Sequence, residues 1–263
     1  MKTEELLKKL EIIAPHNLQE EWDNSGFQVD MGNENIFRVL VALEVTNEVI
    51  DQAITEDVDL ILTHHPLYFT PIKMFDNNTV IGNQTVKLIN NNISVFSCHT
   101  NFDKVDGGNN DYLAELLELS DIGLLEESKD EFCRVGKLKT AISLWQFIGR
   151  CELALDVDKK FFNAVGDLNK MITTVGLCTG SGGEFIEAAS NENCDLFVTG
   201  DLKYHQAQMA KDLGIAVLDA GHYGTEKIFI DNMTNRLATL CDCETEHLEL
   251  IKSKIDINPF VAI

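Results

Sequence analysis

Residues 38–63 read RVLVALEVTNEVIDQAITEDVDLILT, and residues 174–199 read TVGLCTGSGGEFIEAASNENCDLFVT. The two segments align without a gap at an offset of 136 (174 minus 38), and eight of their 26 positions are identical. Each has the pattern of a strand, a helix and a second strand. Unrelated segments of this kind share apolar positions by chance, but the ungapped match and the common Asp-Leu-x-x-Thr ending favour duplication. The sequence thus predicts an α/β protein with two related lobes.

The flanking sequence extends this pattern. Each lobe has a further apolar strand, at 93–97 and at 215–219. Helices are predicted at 3–13, 110–119 and 225–239, a polar loop at 16–35, and a possible strand in the alternating tail 247–258.

The duplication also suggests domain boundaries. We expect lobe 1 at residues 1–119, a connecting segment with a few strands and a helix at 120–172, and lobe 2 at 173–263. None of the joining sequence is of low complexity, so the lobes are expected to pack together as one unit rather than to be tethered.

Composition excludes several classes of protein. The 263 residues are 44% hydrophobic and carry a net charge of −22, which argues against non-specific nucleic-acid binding because that needs a basic face. No membrane-length apolar run or signal peptide is evident, and we expect a cytoplasmic protein. Most of the seven cysteines are expected to be reduced thiols. Cys241-Asp242-Cys243 is the only close pair and weak evidence for metal.

Histidines and carboxylates follow three of the predicted strands. They are His64 and His65 after 60–63, His99 and Asp103 after 93–96, and His222 and Glu226 after 215–218. A turn can hold two adjacent histidines without any function. Three strand ends of the same composition point instead to one shared site, because neutral imidazoles and carboxylates are metal ligands.

The predicted ligands are His64, His65, Asp103, His222 and Glu226. Three imidazoles and two carboxylates are too many for one structural zinc, and they suit two divalent ions in the cleft between the lobes. In an extended chain His64 and His65 would point to opposite sides, so that each could serve a different ion. If residues 222–226 are helical, His222 and Glu226 share one face.

Such ions activate bound water, so hydrolysis is the expected chemistry. His99 and His205 are candidates for the proton carrier, and Asp201 for a residue that orients a ligand. Each has a structural alternative: His99 could cap a strand end, and Asp201 could cap the helix that carries His205.

Two further segments are ambiguous. Gly180-Ser181-Gly182-Gly183-Glu184 could hold an anion with its backbone N–H groups, although a tight turn is the favoured interpretation because a Walker lysine is missing. Glu21-Trp22-Asp23-Asn24-Ser25-Gly26-Phe27 is a polar loop with an aromatic residue that either lines a pocket or covers the end of the core.

Five stretches of this chain resemble the Nif-three-like family, also labelled GTP cyclohydrolase I type 2 homologs or dinuclear metal centre proteins. They are EWDNSGFQV at 21–29, LTHHPLYF at 62–69, HTNFDKVDGGNNDYLAE at 99–115, TGDLKYHQA at 199–207 and DAGHYGTE at 219–226. The resemblance implies a two-lobed α/β fold, the same five ligands for two metal ions, and a hexameric ring with inward-facing sites. It also implies the compact form, because 120–172 is too short for the inserted domain of longer members.

The leading hypothesis is a dinuclear-metal hydrolase that acts on a nucleotide-like C–N or phosphoester bond of a small molecule, with GTP cyclohydrolase activity implied by resemblance alone. The alternative is a non-catalytic metal-binding or regulatory ring. A nucleic-acid-binding protein ranks last because of the acidic charge. Histidine with carboxylate suits zinc, manganese, iron or nickel, so the residues do not select the metal.

Overall fold

The computed structural model describes residues 1–242 and 245–261. The helices are α1 (Thr3–Ile13), α2 (Asn47–Thr55), α3 (Val80–Asn90), α4 (Thr100–Lys104), α5 (Asn109–Leu116), α6 (Leu144–Leu155), α7 (Ile186–Asn191), α8 (Tyr204–Leu213), α9 (His222–Glu226) and α10 (Phe229–Leu240). The strands are β1 (Gly26–Val29), β2 (Arg38–Ala42), β3 (Leu60–Thr63), β4 (Ser94–Ser97), β5 (Ser120–Leu124), β6 (Arg134–Ser143), β7 (Asn163–Val165), β8 (Met171–Leu177), β9 (Leu196–Thr199), β10 (Ala216–Asp219) and β11 (Glu249–Lys252). The prediction of an α/β protein is confirmed.

These elements form two compact units, each with its own sheet. The first unit contains residues 1–105 and 229–257, and the second contains residues 106–228 and the chain from Asn258. The lobe boundaries predicted from the duplication, at 119 and 172, stay predictions. Packing places the predicted connecting segment 120–172 in the second unit, whereas α10 and β11 belong to the first.

The first unit has a five-stranded sheet in the order β1-β4-β3-β2-β11. All neighbouring strands are parallel except β1, which runs antiparallel to β4. Every residue of β3 is buried, as expected for a central parallel strand covered on both faces. Leu40 and Ile61 pack with Ile50 of α2, whose first turn is capped by the Thr46 side chain.

The second unit has a six-stranded mixed sheet in the order β5-β6-β8-β9-β10-β7. Strands β8, β9 and β10 are parallel, and the outer pairings are antiparallel. Alternate residues of β9 face two hydrophobic clusters: Leu196 packs with Phe147 of α6, and Phe197 with Ile186 of α7. Both faces of this central strand are therefore covered by helices.

Most predicted elements, including a strand in the alternating tail, are present, with two differences. The helix predicted at 225–239 is divided, because α9 ends at Glu226 and α10 begins at Phe229. The loop predicted at 16–35 contains β1, which pairs with β4. The alternating tail forms β11, parallel to β2. Of the Cys-x-Cys pair, Cys243 lies outside the described residues. Among those described, none of the helices combines the length and apolar character needed to cross a membrane.

In both units the carboxyl ends of parallel strands carry the polar residues singled out from the sequence. His64 follows β3 and His99 follows β4 in the first sheet, whereas Asp201 follows β9 and His222 follows β10 in the second. In open α/β sheets these strand ends are where ligands bind.

Candidate metal centre

The first unit contains a cluster of three imidazoles. His64, His65 and His99 each offer one ring nitrogen, and these nitrogens lie within 4.8 Å of one another. The ring centroids of His64 and His65 are 5.1 Å apart, and His99 lies 5.2 Å from the first and 5.6 Å from the second. His64 is buried and the other two are partly buried. The cluster thus gathers three imidazole nitrogens at the carboxyl ends of two neighbouring strands.

The backbone at His64 and His65 is bent rather than extended. Both N–H groups donate to the carbonyl of Leu43, at 3.1 and 2.9 Å. The bend brings the two rings to the same side, so the expectation that they point to opposite sides is wrong. The alternation of an extended strand ends at Thr63 and does not continue through the histidine pair.

Two of these rings are oriented by hydrogen bonds at Nδ1. His64 Nδ1 donates to the Cys98 carbonyl at 2.9 Å, and His99 Nδ1 donates to Asp23 Oδ1 at 2.8 Å. A carbonyl only accepts, so the Nδ1 of His64 carries a proton, and in the neutral tautomer with this proton the lone pair is on Nε2. Metal-ligating histidines have this arrangement. Cys98 contributes its backbone only, because burial raises the pKa of its thiol and keeps it protonated.

Asp103 lies in the first unit beside His64. It belongs to α4, is 8% exposed, and its Oδ1 lies 3.6 Å from His64 Nε2. The predicted association of Asp103 with the first histidine pair is therefore present in the structure. A carboxylate oxygen at this distance from an imidazole nitrogen fits two groups that share a cation.

Asp23 is a residue that sequence reasoning missed. Its carboxylate accepts hydrogen bonds from His99, from the amide of Asn24, and from the amide and hydroxyl of Thr100. Burial raises the pKa of Asp23, but the hydrogen bond and positive charge of His99 outweigh it, and the pKa is held well below its usual range. Asp23 is ionised and forms a histidine–carboxylate pair with His99. The only sequence feature that could have indicated Asp23 is its place between an aromatic residue and an Asn-Ser-Gly turn.

Glu44 was also missed. Its Oε2 lies 3.7 Å from His65 Nδ1, and its side chain is 46% exposed. This distance exceeds a hydrogen bond, so the carboxylate faces the imidazole without holding it.

The second unit carries its own imidazole–carboxylate group. His222 and Glu226 lie one turn apart on α9, with Nε2 and Oε2 separated by 2.8 Å. The other ring nitrogen of His222 donates to Asp201 Oδ2 at 2.8 Å. Residues 222–226 are helical, which is the condition under which His222 and Glu226 were expected to share one face, and Asp201 has the geometry that its predicted orienting role needs.

Gly180 makes room for this group. Its φ is +65°, and a Cβ there would overlap the Glu226 carboxylate and come within 3.4 Å of His222 Nε2. The N–H groups of Gly180 and Gly182 donate to the hydroxyls of Thr225 and Thr199. The glycine segment is therefore a tight turn that packs under the carboxylate, and these two amides are not directed at an anion.

Asp201 and His205 differ in their surroundings. Asp201 has a φ of +53°, a left-handed backbone that aspartate adopts more readily than most residues. His205 is exposed on the first turn of α8, and its ring contacts that of Tyr204 at 5.3 Å. Within the described part of the second unit, Asp201 contacts His222, whereas His205 does not contact His222.

The donor set of each unit fits a divalent metal. Imidazole nitrogens with carboxylate oxygens suit zinc, manganese, iron or nickel, and the rings of His64, His99 and His222 are fixed by acceptors at Nδ1. The five predicted ligands fall into two groups: His64, His65 and Asp103 in the first unit, and His222 and Glu226 in the second.

Comparison with known proteins identifies a family. The sequence profile described as Duf34/NIF3 (NGG1p interacting factor 3) matches residues 1–259. A Clostridium perfringens protein named GTP cyclohydrolase 1 type 2 homolog is 34% identical over 264 residues, covering 99% of each chain. A Helicobacter pylori protein named GTP cyclohydrolase 1 type 2 is 36% identical over 225 residues, covering 86% of this chain and 87% of its own. The crystal structure of a Bacillus cereus protein related to NIF3 superposes with a TM-score of 0.92 at 24% identity, covering 100% and 99%, and shows the shared fold.

Proposed function

Because the chain belongs to the Duf34/NIF3 family, we propose that it is a metal-dependent hydrolase with a dinuclear centre. Its substrate would be a small molecule with a nucleotide-like C–N or phosphoester bond. The relatives named for GTP cyclohydrolase support a nucleotide as the first substrate to test.

The observation that carries this proposal is the imidazole cluster of the first unit. Three ring nitrogens lie within 4.8 Å of one another, and two of the rings are fixed by hydrogen bonds on their far side. A structural histidine also needs a hydrogen-bond partner, but it does not need two further ring nitrogens within 4.8 Å. Preset imidazoles reduce the entropy that is lost when a cation binds.

The ligands we propose are His64, His65 and Asp103 from the first unit with His222 and Glu226 from the second. The two groups would hold two divalent ions in the cleft between related lobes, as the resemblance implies. When bound, such ions supply water of lowered pKa and polarise the bond under attack. The fixed rings and the buried Asp103 support the first group, and the 2.8 Å His222–Glu226 approach supports the second.

His99 is the proton carrier in this proposal. Its Nδ1–H is held by the ionised Asp23, which leaves Nε2 to take a proton from the attacking water and later to return it to the leaving group. The carboxylate stabilises the imidazolium that forms in between. His205 was the other candidate, but its exposed position beside Tyr204 favours His99.

We further propose that the working molecule is a cytoplasmic homo-oligomer, a hexameric ring as the resemblance implies, and that the two lobes arose by duplication. Light scattering of the purified protein tests the ring directly. A monomer at micromolar concentration would rule it out.

The test is metal content together with turnover. Protein purified without chelators is expected to contain about two ions per chain, as in two-metal hydrolases. It should turn over at least one member of a panel of GTP, other nucleotides and phosphoesters. His65→Ala should lose metal and turnover while keeping its circular dichroism spectrum. His16→Ala, at an exposed position, is the matched control and should match the unsubstituted protein.

Two results would contradict the proposal. Metal without turnover of any substrate in the panel would support the non-catalytic metal-binding ring instead. Absence of metal even after reconstitution, or full metal content in His65→Ala, would show that the ligand assignment is wrong.

A further inference from the structure

Two exposed aromatic side chains lie next to the imidazole cluster. Trp22 and Phe69 are each 59% exposed, and their ring centroids are 5.9 Å apart. His99 lies 6.1 Å from the first ring and 6.0 Å from the second, edge-on to both. We call Trp22 and Phe69 the aromatic platform. Exposed rings beside a candidate metal site are unexpected for a surface that binds nothing.

The loops that carry the aromatic platform are tied together directly behind it. Asn24 Nδ2 donates to the Tyr68 carbonyl at 2.8 Å, and the Tyr68 amide donates to Gln28 Oε1 at 3.1 Å. Gln28 in turn donates to the Asn24 carbonyl at 2.6 Å. Asp23, next to Trp22, is fixed by His99 and Thr100. The backbone under both rings is therefore preorganised although the rings face solvent, which lowers the entropy cost of binding a ligand.

The charges around the aromatic platform favour a neutral ligand group. Glu21 is exposed and Asp23 is ionised, while Glu20 forms an ion pair with Lys104. A phosphate placed on the platform would meet this negative charge. A neutral planar ring would not be repelled by this charge, and it gains binding free energy from stacking on an indole face.

We propose that the aromatic platform binds the planar heteroaromatic ring of the substrate, which stacks on the Trp22 indole and is bordered by Phe69, whose ring is tilted 46° from the indole. The polar part of the substrate is then directed toward His99 and the metal ligands. This assignment rests on the proposed hydrolase function and narrows its substrate class to molecules with a flat ring, such as a nucleobase. Trp22 and Phe69 are binding residues in this role.

The test uses tryptophan fluorescence, because the chain has only two tryptophans, Trp22 and Trp145. Trp145 is 55% exposed and belongs to the second unit, so it is a matched reference. In Trp145→Phe, Trp22 of the platform is the sole tryptophan that emits. In Trp22→Phe, only the reference Trp145 emits. Guanosine monophosphate and adenosine monophosphate should quench the first variant saturably, whereas ribose 5-phosphate should not. The second variant should show only the non-saturable loss caused by light absorption.

Equilibrium dialysis with labelled guanosine monophosphate measures the platform's contribution. Trp22→Ala should weaken binding about tenfold, the usual effect of removing one stacked aromatic. Trp22→Phe should stay within about threefold because a ring remains. Phe69→Ala should also weaken binding, and Trp145→Ala should not. All variants should keep their metal content.

Failure of this proposal is distinguishable from failure of the proposed function. Full metal content without saturable quenching, or equal nucleotide affinity in Trp22→Ala, would overturn the platform and leave the metal centre intact. A smaller particle mass for Trp22→Ala would identify the surface as a contact between copies of the chain and would likewise overturn it. Saturable quenching in a protein that takes up no metal would support stacking on the aromatic platform and contradict the proposed hydrolase function.

Discussion

Asp59 and Asp195, 136 residues apart, make the same pair of backbone hydrogen bonds in their respective units. Asp59 Oδ2 accepts from the amides of Phe37 and Arg38, at 2.7 and 2.9 Å. Asp195 Oδ2 accepts from the amides of Thr173 and Thr174, at 2.8 and 2.9 Å. The donors are related by the same offset as the acceptors. This correspondence extends the sequence match to specific contacts and favours a duplication over two βαβ units that converged on one apolar pattern.

Removal of either aspartate is expected to destabilise its own unit to a similar extent. Asp59→Ala and Asp195→Ala each leave two amides without their acceptor, which costs about 1–3 kcal/mol of unfolding free energy. Urea unfolding followed by circular dichroism measures the effect. Asp212→Ala, at an exposed position on α8, should change stability by less than about 0.5 kcal/mol. A loss in only one of the two aspartate variants would contradict the equivalence.

Gly180→Ala is expected to weaken metal binding because a methyl group there displaces the Glu226 carboxylate. Gly214 provides the matched control: its φ of +74° resembles the +65° of Gly180, but a Cβ there meets nothing within 4 Å. Both variants carry the strain of alanine at positive φ, about 1 kcal/mol. Isothermal titration with Zn²⁺ should therefore show a loss of affinity for Gly180→Ala alone. Equal affinities would mean that Glu226 is not a ligand.

Asp201→Asn should lower metal affinity about 10- to 100-fold, because the substitution weakens the hydrogen bond that orients His222. The number of ions bound at saturation should not change. Competition with a chromogenic chelator measures this affinity. The exposed Asp212→Asn is the control for loss of one negative charge in the same unit. If both variants lose the same affinity, long-range charge rather than ring orientation is responsible.

Asp23→Asn is expected to change how stability depends on pH. The pKa of Asp23 is lower in the folded protein than its unfolded value of about 3.9, so its contribution is present above that pH and is lost as pH falls toward the folded pKa. Metal-free Asp23→Asn should be less stable at pH 7 by about 2 kcal/mol, the range for hydrogen bonds to a charged group. The difference should shrink below about pH 4. A constant difference between pH 7 and pH 3 would contradict the assignment.

The sequence predicted the strands and the candidate ligand types, because each apolar run that precedes histidines indicates both a strand and the polar residues that follow it. It could not reveal ring orientation. His64 and His65 were expected on opposite sides, but a bend held by the Leu43 carbonyl places their rings together. Such a bend depends on a partner that follows the end of another strand, β2, and the local sequence pattern does not encode that partner.

The carboxylates that lie beside the imidazoles were the other limit. Asp23 lies in a polar loop among several acidic residues, and only its contacts with His99 and Thr100 distinguish it. Glu44 was likewise indistinguishable from a surface glutamate. The return of α10 and β11 to the first unit was not predicted, since sequence order suggests that the last residues belong to the last lobe.

That return has a consequence for biosynthesis. The sheet of the first unit is completed by β11, which pairs with β2 across more than 200 residues of chain, from Val39 to Leu250. As the polypeptide leaves the ribosome, the second unit can fold while β2 still has an unpaired edge. An unpaired parallel strand is a template for association with other chains. During the interval between synthesis of β2 and of β11, the nascent protein therefore presents an unpaired strand edge to other chains.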